Sequence, residues 1–209
     1  MGARPVDMSK DVLIAILAAG ASRRLGQPKQ LVTVEGKPLL RRQCEVAIEF
    51  GVGTVAVILG CDADACRAVI SDLPITVHLN DRWADGLGSS IACAARATES
   101  ALLILHCDQF AISAADLQRL YEAWIKDRSK AVRSRSGTYV GPPVIFPASS
   151  LVDLRQLSGD DGAKSVVAKL GSANVIEVNI PSAADDLDTP EQFAHVLNVT
   201  RVTRASPSV

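Results

Sequence analysis

Apolar residues along the chain alternate between short continuous runs and longer stretches with helical spacing. The short runs, rich in β-branched side chains, predict buried strands at Val12–Leu17, Thr54–Leu59, Ile75–Leu79 and Ala101–His106. The longer amphipathic stretches predict helices at Leu39–Phe50, Ala63–Leu73, Ser89–Ala97 and from a cap at Ser113 to about Lys126.

The second half of the chain is less regular. Short strands around turns rich in Gly and Pro are predicted at Ala131–Arg133, Tyr139–Val140, Val144–Phe146 and Val175–Ile180. Helices are predicted at Val152–Leu157, at Ala163–Leu170 and from Pro190, which Thr189 or Asp188 would cap. The alternation predicts one α/β domain over 11–199, a doubly wound and mostly parallel sheet with helices on both faces. Residues 1–10 and 200–209 are predicted to be flexible ends.

Composition narrows the classes of protein that fit this pattern. The chain has 209 residues, 48% of them hydrophobic and 22% charged, which is ordinary globular usage. A net charge of −1 and few aromatic residues argue against nucleic-acid binding and against a membrane surface. The first residues lack the apolar stretch of a signal peptide, so we expect a cytoplasmic protein. Five scattered cysteines are expected to be reduced and mostly buried.

A loop of small residues follows the first predicted strand and carries three basic side chains. It runs from Leu17 to Lys29, and positions 18 to 22 hold only Ala, Gly and Ser. Small side chains let backbone N–H groups approach an anion closely, which favours phosphate. Guanidinium and ammonium groups add full positive charge. We therefore predict that the loop binds a nucleoside triphosphate through Leu17, Ala18, Ala19, Gly20, Ser22, Arg23, Arg24 and Lys29.

Two better-known phosphate motifs do not fit this loop. A Walker A loop needs GxxxxGK[ST], but five residues separate Gly20 from Gly26, and Gln30 follows Lys29. A dinucleotide fingerprint needs GxGxxG, but Ala21 follows Gly20. An ordinary tight turn with a solvated basic face remains the weaker interpretation.

Carboxylates occur at two places where they could hold a metal ion. Asp108 follows a predicted strand and would point a hard oxygen ligand into the cleft at the sheet edge, which suits Mg²⁺. A turn or helix-capping role explains Asp108 equally well. Asp185, Asp186 and Asp188 cluster late in the chain, where Asp188 could cap a helix. Asp160 and Asp161 fit a turn and cap better than a catalytic role.

The segment between the third strand and the next helix offers polar groups to the same cleft. Ser89 or Ser90 could cap the helix, and the other hydroxyl could contact the nucleotide. Asn80 is expected to line the cleft. Trp83 could line the cleft or anchor the core.

The motif LAAGxSxRxGxxK over 17–29 resembles the signature of the nucleotidyltransferases of molybdenum cofactor synthesis, the MobA-like family. Within that family Ala19 is similar to the cytidylyltransferase form, whereas the guanylyltransferase form usually has Gly there. Further segments match later motifs of the family: Asn80–Trp83, Gly86–Ile91, Cys107–Gln109, Gly141–Phe146, Leu157–Lys164 and Asp186–Glu191. The chain departs from the family at Phe110, where Pro is usual, and in a compressed tract at Lys130–Tyr139.

The resemblance implies a Rossmann-like nucleotidyltransferase fold and transfer of CMP from CTP to the phosphate of molybdopterin. It implies Mg²⁺ held by Asp108 and Asp188, with Asp186 as the alternative, and phosphates held by Arg24 and Lys29. It also assigns nucleotide contacts to Asn80, Ser89 and Ser90, and suggests transient contact with a molybdoenzyme or its chaperone. A guanylyltransferase, a sugar-1-phosphate nucleotidyltransferase and a non-catalytic nucleotide- or cofactor-binding chaperone are the alternatives.

Overall fold

The computed structural model describes residues 11–22, 25–160 and 162–185. Several residues singled out from the sequence therefore lie outside the described residues: Arg23, Arg24, Asp161, Asp186, Asp188, and the expected helix from Pro190. The two ends expected to be flexible, 1–10 and 200–209, lie outside them as well.

Seven strands of the described chain form one sheet: β1 (Val12–Ala18), β4 (Thr54–Leu59), β5 (Thr76–Leu79), β6 (Ala101–His106), β7 (Ala131–Ser136), β8 (Tyr139–Phe146) and β9 (Val175–Asn179). Their order across the sheet is β5-β4-β1-β6-β8-β7-β9. Only β8 runs against its neighbours, β6 and β7, while the other pairs are parallel. Every residue of β1 is buried, as a central strand with both faces covered requires. The prediction of a mostly parallel α/β sheet is confirmed.

Helices cover both faces of this sheet and enclose two apolar cores. The six helices of the described chain are α1 (Leu39–Phe50), α2 (Ala63–Ala68), α3 (Leu87–Arg96), α4 (Ala114–Trp124), α5 (Leu151–Leu154) and α6 (Lys164–Leu170). Val12, Ile14 and Ile16 of β1 face the core shared with α1 and α4. Leu13 and Leu17 face the core shared with α3, α5 and α6. This alternation follows from the two-residue period of a strand.

Helix ends follow the sequence signals at some positions and depart from them at others. α1 has the predicted bounds and stops at Gly51, which has a left-handed backbone. Ser113 caps α4 as predicted, in a reciprocal capping box with Asp116. The prediction that Ser89 or Ser90 caps α3 is wrong, because the helix already begins at Leu87. Gly86 precedes it and offers no side chain for capping.

The irregular second half contains longer strands than the sequence predicted. β8 is one continuous strand, not two short ones, although it contains Pro142 and Pro143, which are joined by a cis peptide bond. Opposite these prolines the register with β7 shifts between Arg133 and Ser134. Because Pro lacks an N–H for the ladder, such a bulge is where a strand tolerates it.

A small hairpin that the sequence did not predict precedes α1. It pairs β2 (Thr33–Val34) with β3 (Lys37–Pro38) in antiparallel fashion. Among the residues that the structure describes, no helix has both the length and the apolar character that a membrane span needs.

Candidate active site

The loop after β1 is held in shape by a buried glutamine at its far end. The Gln30 side chain donates from Nε2 to the carbonyl oxygens of Ala18 (2.9 Å) and Gly20 (2.7 Å). The Lys29 amide donates to Ser22 Oγ at 3.0 Å, and Ser22 has a positive φ of 51°. Ser22 and Gln30 therefore fold the loop back on itself and bring Lys29 to the end of β1. The sequence analysis missed Gln30, since a buried polar residue outside a periodic segment leaves no pattern.

Lys29 and Asp108 meet where β1 and β6 end side by side. The Lys29 ammonium donates a hydrogen bond to Asp108 Oδ2 in an ion pair. The side chains are 21% and 11% exposed, so water screens the pair only partly. Burial raises the pKa of Asp108, but the charges of Lys29 and His106 and the hydrogen bond from Lys29 outweigh it. The pKa of Asp108 is thus below its usual value, and the carboxylate is ionised at neutral pH.

A cleft of about 340 Å³ opens above this ion pair. The residues that line it come from the end of β1 and the loop after it, the turn before α3 and the start of α3, the end of β6 and the loop before α6: Leu17, Ala19, Gly20, Ala21, Lys29, Trp83, Ala84, Gly86, Leu87, Ser90, His106, Cys107, Asp108 and Asp160. This is the carboxyl edge of a parallel sheet, where ligands bind in folds of this class. The mixture of small apolar walls and a few charged groups is typical of a small-molecule site.

Asn80, Ser89 and Ser90 form one buried hydrogen-bond network beside the cleft. Asn80 Nδ2 donates to Ser89 Oγ (2.8 Å) and Ser90 Oγ (3.1 Å), and Asn80 Oδ1 accepts from the Arg82 amide. Ser89 Oγ also lies 2.8 Å from the carbonyl oxygens of Arg82 and Gly86. Of the three, Ser90 lines the cleft. Asn80 and Ser89 join β5 to the first turn of α3 and so hold Ser90 in place.

The glycines of the Gly86-Leu87-Gly88 turn are explained by a second loop packed against them. A Cβ at Gly88 would lie 2.7 Å from the carbonyl oxygen of Ser158, and one at Gly86 would lie 2.4 Å from Asp160 Oδ1. Gly86 also has a positive φ of 99°. The Gly88 amide donates to the carbonyl oxygen of Gly159 at 2.8 Å. These close contacts put Asp160 at the rim of the cleft.

Trp83 is half-buried and lines the cleft. A Cβ at Gly60 would lie 2.5 Å from the Trp83 Cβ, so the two residues pack closely. Trp83 is in none of the apolar core clusters of the described residues, so of the two interpretations that the sequence left open the structure supports the one in which it lines the cleft.

Gln109 is a second buried glutamine that the sequence analysis did not single out. Its Nε2 donates to the carbonyl oxygens of Pro142 (2.7 Å) and Ala183 (3.0 Å), and its Oε1 accepts from the His106 amide (3.3 Å). Its own carbonyl oxygen accepts from Nε2 of Gln43 at 2.7 Å. The residue directly after Asp108 thus joins β6, β8, α1 and the 3-10 turn at Pro181–Ala184.

The two departures from the family pattern have local explanations. Phe110 packs with Leu25 against a small apolar cluster around Val34 and Leu39, and so connects the Asp108 turn to the loop after β1. The compressed tract at Lys130–Tyr139 is β7 followed by a tight hairpin, in which Ser136 pairs directly with Tyr139.

The chemistry of the residues present fits a hard divalent cation. Asp108 supplies an ionised oxygen ligand inside the cleft. Mg²⁺ commonly takes one or two carboxylates and completes its shell with phosphate oxygens and waters. Among the described residues, no cluster of three or more His, Cys, Asp or Glu side chains could hold a metal alone. The predicted second ligand, Asp188 or Asp186, lies outside the described residues.

Comparison with known proteins agrees with this fold and cleft. Residues 14–175 match the model of the MobA-like NTP transferase domain. The chain is 31% identical over 192 residues to nicotine blue oxidoreductase of Paenarthrobacter nicotinovorans, covering 87% of this chain and 94% of that protein. It is 28% identical over 204 residues to purine catabolism protein PucB of Bacillus subtilis strain 168, covering 89% and 96%.

Among solved structures, the Mycobacterium sp. strain JC1 homologue of Mycobacterium tuberculosis Rv0371c superposes with a TM-score of 0.79. It is 24% identical and covers 91% of this chain and 98% of its own, so this likeness shows the fold alone. The family match covers most of the chain, from the first strand to the last. The chain therefore belongs to the MobA-like NTP transferase domain family, and it is a nucleotidyltransferase.

Proposed function

We propose that this protein transfers CMP from CTP to the terminal phosphate of molybdopterin and releases pyrophosphate. The observation that carries the proposal is the Lys29–Asp108 ion pair at the floor of a cleft whose walls are Ala19, Gly20 and Ser90. A cation and an ionised carboxylate at one point suit a nucleotide phosphate and its metal ion. Small walls beside them suit a base and ribose.

The proposed reaction needs alignment more than proton transfer. A phosphate oxygen of the acceptor attacks the α-phosphorus of CTP and forms a new P–O bond. The bond from the α-phosphorus to the bridging oxygen breaks, and pyrophosphate leaves with the electron pair. The attacking phosphate is already ionised at neutral pH, so the reaction needs no general base. Catalysis then rests on positioning and on neutralising charge.

The residues of the cleft divide these tasks. Lys29 donates to the phosphates as a point charge, and Arg24 is assigned the same role from the sequence. The backbone N–H groups of the loop after β1 complete the phosphate site. A bound Mg²⁺ would be held by Asp108 and by Asp188, with Asp186 as the alternative, and would neutralise the phosphate oxygens.

The finer parts of this proposal rest on single features. The choice of CTP rests on Ala19, one of the residues that line the cleft. The choice of molybdopterin rests on the resemblance of the later motifs. The oxidoreductase name of the Paenarthrobacter relative describes that protein. Here the loop after β1 lacks the GxGxxG pattern that a dinucleotide site of the Rossmann type uses.

The test is a pyrophosphate-release assay with CTP, GTP, UTP and ATP, each with and without molybdopterin, with the product identified by mass spectrometry. We expect release with CTP only when molybdopterin is present, and a cytosine dinucleotide as product. Release with a sugar 1-phosphate instead, or oxidation of NADH in place of pyrophosphate release, would contradict the proposal. Nucleotide binding without turnover under all conditions would favour the chaperone alternative.

A further inference from the structure

The turn that carries Asp108 is fixed in the fold by the side chain of the next residue. Gln109 is 2% exposed and uses both ends of its amide. Its Nε2 lies within reach of the carbonyl oxygens of Pro142 and Ala183, and its Oε1 faces the His106 amide. The opposite amide orientation would set Oε1 against two carbonyl oxygens, so only this orientation satisfies every group.

These contacts connect parts of the chain that are far apart in sequence. Pro142 is 33 residues and Ala183 is 74 residues beyond Gln109. Gln43 of α1 adds a bond to the main-chain oxygen of Gln109 from 66 residues upstream. Gln109 is thus bonded to three distant segments, two through its side chain and one through its main chain, and these bonds constrain the peptide that joins it to Asp108.

One of these segments leads directly to the late acidic residues. Ala183 lies two residues before Asp185, which is the last residue that the structure describes. Gln109 therefore ties the Asp108 turn to the last part of the chain that the structure describes.

We infer that Gln109 is a positioning residue that sets the orientation of the Asp108 carboxylate toward the divalent cation, an inference that rests on the proposed function. Residues that orient a metal ligand without binding the metal are important for affinity. Their mutation commonly weakens metal binding by about 10–100-fold, because the ligand is no longer held in the right orientation. A positioning role for Gln109 differs from a purely stabilising one, because its loss should weaken cation binding and not only lower the free energy of unfolding.

The experiment is calorimetric titration of the purified protein with MnCl₂, without nucleotide. Gln109→Met keeps the length of the side chain and removes both hydrogen-bonding ends, and we expect about 10–100-fold weaker Mn²⁺ binding. Ser134→Ala is the matched control. Ser134 is fully buried and donates to the carbonyl oxygen of Pro143 at 2.9 Å, so this variant loses a buried bond to the same strand without touching the Asp108 turn. We expect it to be less stable and to bind Mn²⁺ normally.

A second variant keeps the test decisive if Gln109→Met does not fold. Tyr139→Phe removes the hydroxyl that donates to the carbonyl oxygen of Pro142 (2.9 Å) and lies 3.5 Å from Gln109 Nε2, and we expect a smaller loss of Mn²⁺ affinity. Normal Mn²⁺ binding by the folded Gln109 variant, or an equal loss in Ser134→Ala, would overturn the inference.

The variant Asp108→Asn distinguishes a failure of the proposed metal site from a failure of the role inferred for Gln109. If it binds Mn²⁺ like the wild type, or the wild type does not bind, the metal site of the proposed function fails. If Asp108→Asn alone loses binding, only the role of Gln109 fails.

Discussion

Lys29 and Asp108 are 79 residues apart in sequence, yet the ammonium of one donates directly to the carboxylate of the other. The pairing follows from the topology, because β1 and β6 are adjacent parallel strands whose carboxyl ends coincide. The ion pair puts one positive and one negative group at the point where a nucleotide phosphate and its metal ion are proposed to bind.

We expect Lys29→Ala to lower the rate of pyrophosphate release by ~10²–10³, by analogy with the removal of a donor that stabilises developing charge. Arg24→Ala is expected to behave similarly. Lys37→Ala is the control, because Lys37 is exposed and pairs with Glu45 on the surface, away from the cleft. Steady-state kinetics on folded variants measure the effect, and near-normal turnover in both site variants would refute the phosphate site.

Asp108→Asn should abolish activity and its dependence on a divalent cation. The amide preserves the size of the side chain but removes the charge that attracts a hard cation. Asp127→Asn, a change after α4 at a carboxylate whose side chain is 43% exposed, should leave the rate unaltered. Activity is measured across a Mg²⁺ titration and in excess chelator. Full activity of the wild type in chelator would be incompatible with this role.

The base preference is expected to depend on Ala19. Ala19 is one of the residues that line the cleft, and among the described non-glycine residues the positive φ values belong to Ser22, Glu35 and Asp62, so Ala19 is unstrained. The methyl group should crowd a purine more than a pyrimidine, an effect worth ~1–3 kcal/mol. CTP should outcompete GTP, and Ala19→Gly should shift the ratio of kcat/KM toward GTP. Equal use of both nucleotides by the wild type would show this reasoning to be mistaken.

The Asp116 carboxylate should stabilise the protein in a pH-dependent way. It accepts hydrogen bonds from Ser113, Arg119 and Ser182. Burial raises the pKa of Asp116, but the hydrogen bonds lower the pKa by more than burial raises it. The net pKa is therefore below the usual value. A depressed pKa means that the stabilisation is present above the unfolded pKa of about 3.9. It is lost as the pH falls through the folded pKa.

Urea unfolding of Asp116→Ala tests this expectation. We expect a loss of about 1–3 kcal/mol near neutral pH and a smaller difference from the wild type in strong acid. Asp64→Ala removes an exposed carboxylate from the first turn of α2 and should cost less. A difference that stays constant from neutral to acid pH would contradict the assignment.

The central strands β1, β4 and β6 were predictable because they are continuous apolar runs, which are typical of strands covered on both faces. The rule on the carboxyl ends of parallel strands predicted that the loop after β1 and Asp108 would share one cleft, but the direct ion pair between Lys29 and Asp108 was not predicted. Gln30 and Gln109 were not predictable, because their role comes from hydrogen bonds to distant carbonyl oxygens, which leave no local pattern. The start of α3 was also missed, since Gly86 and Gly88 look like a loop until their packing against Ser158 and Asp160 is known.

The close packing of the 86–88 turn against the 158–160 loop has a consequence for how this cleft can change. Neither glycine can gain a side chain unless the opposite backbone retreats, because the contacts are with main-chain atoms of Ser158 and Gly159. We therefore expect a change in either segment to require a change in the other. A library that randomises residues 157–160 to alter substrate range should keep both glycines fixed, whereas one that varies Gly88 must also let Ser158 and its neighbours move.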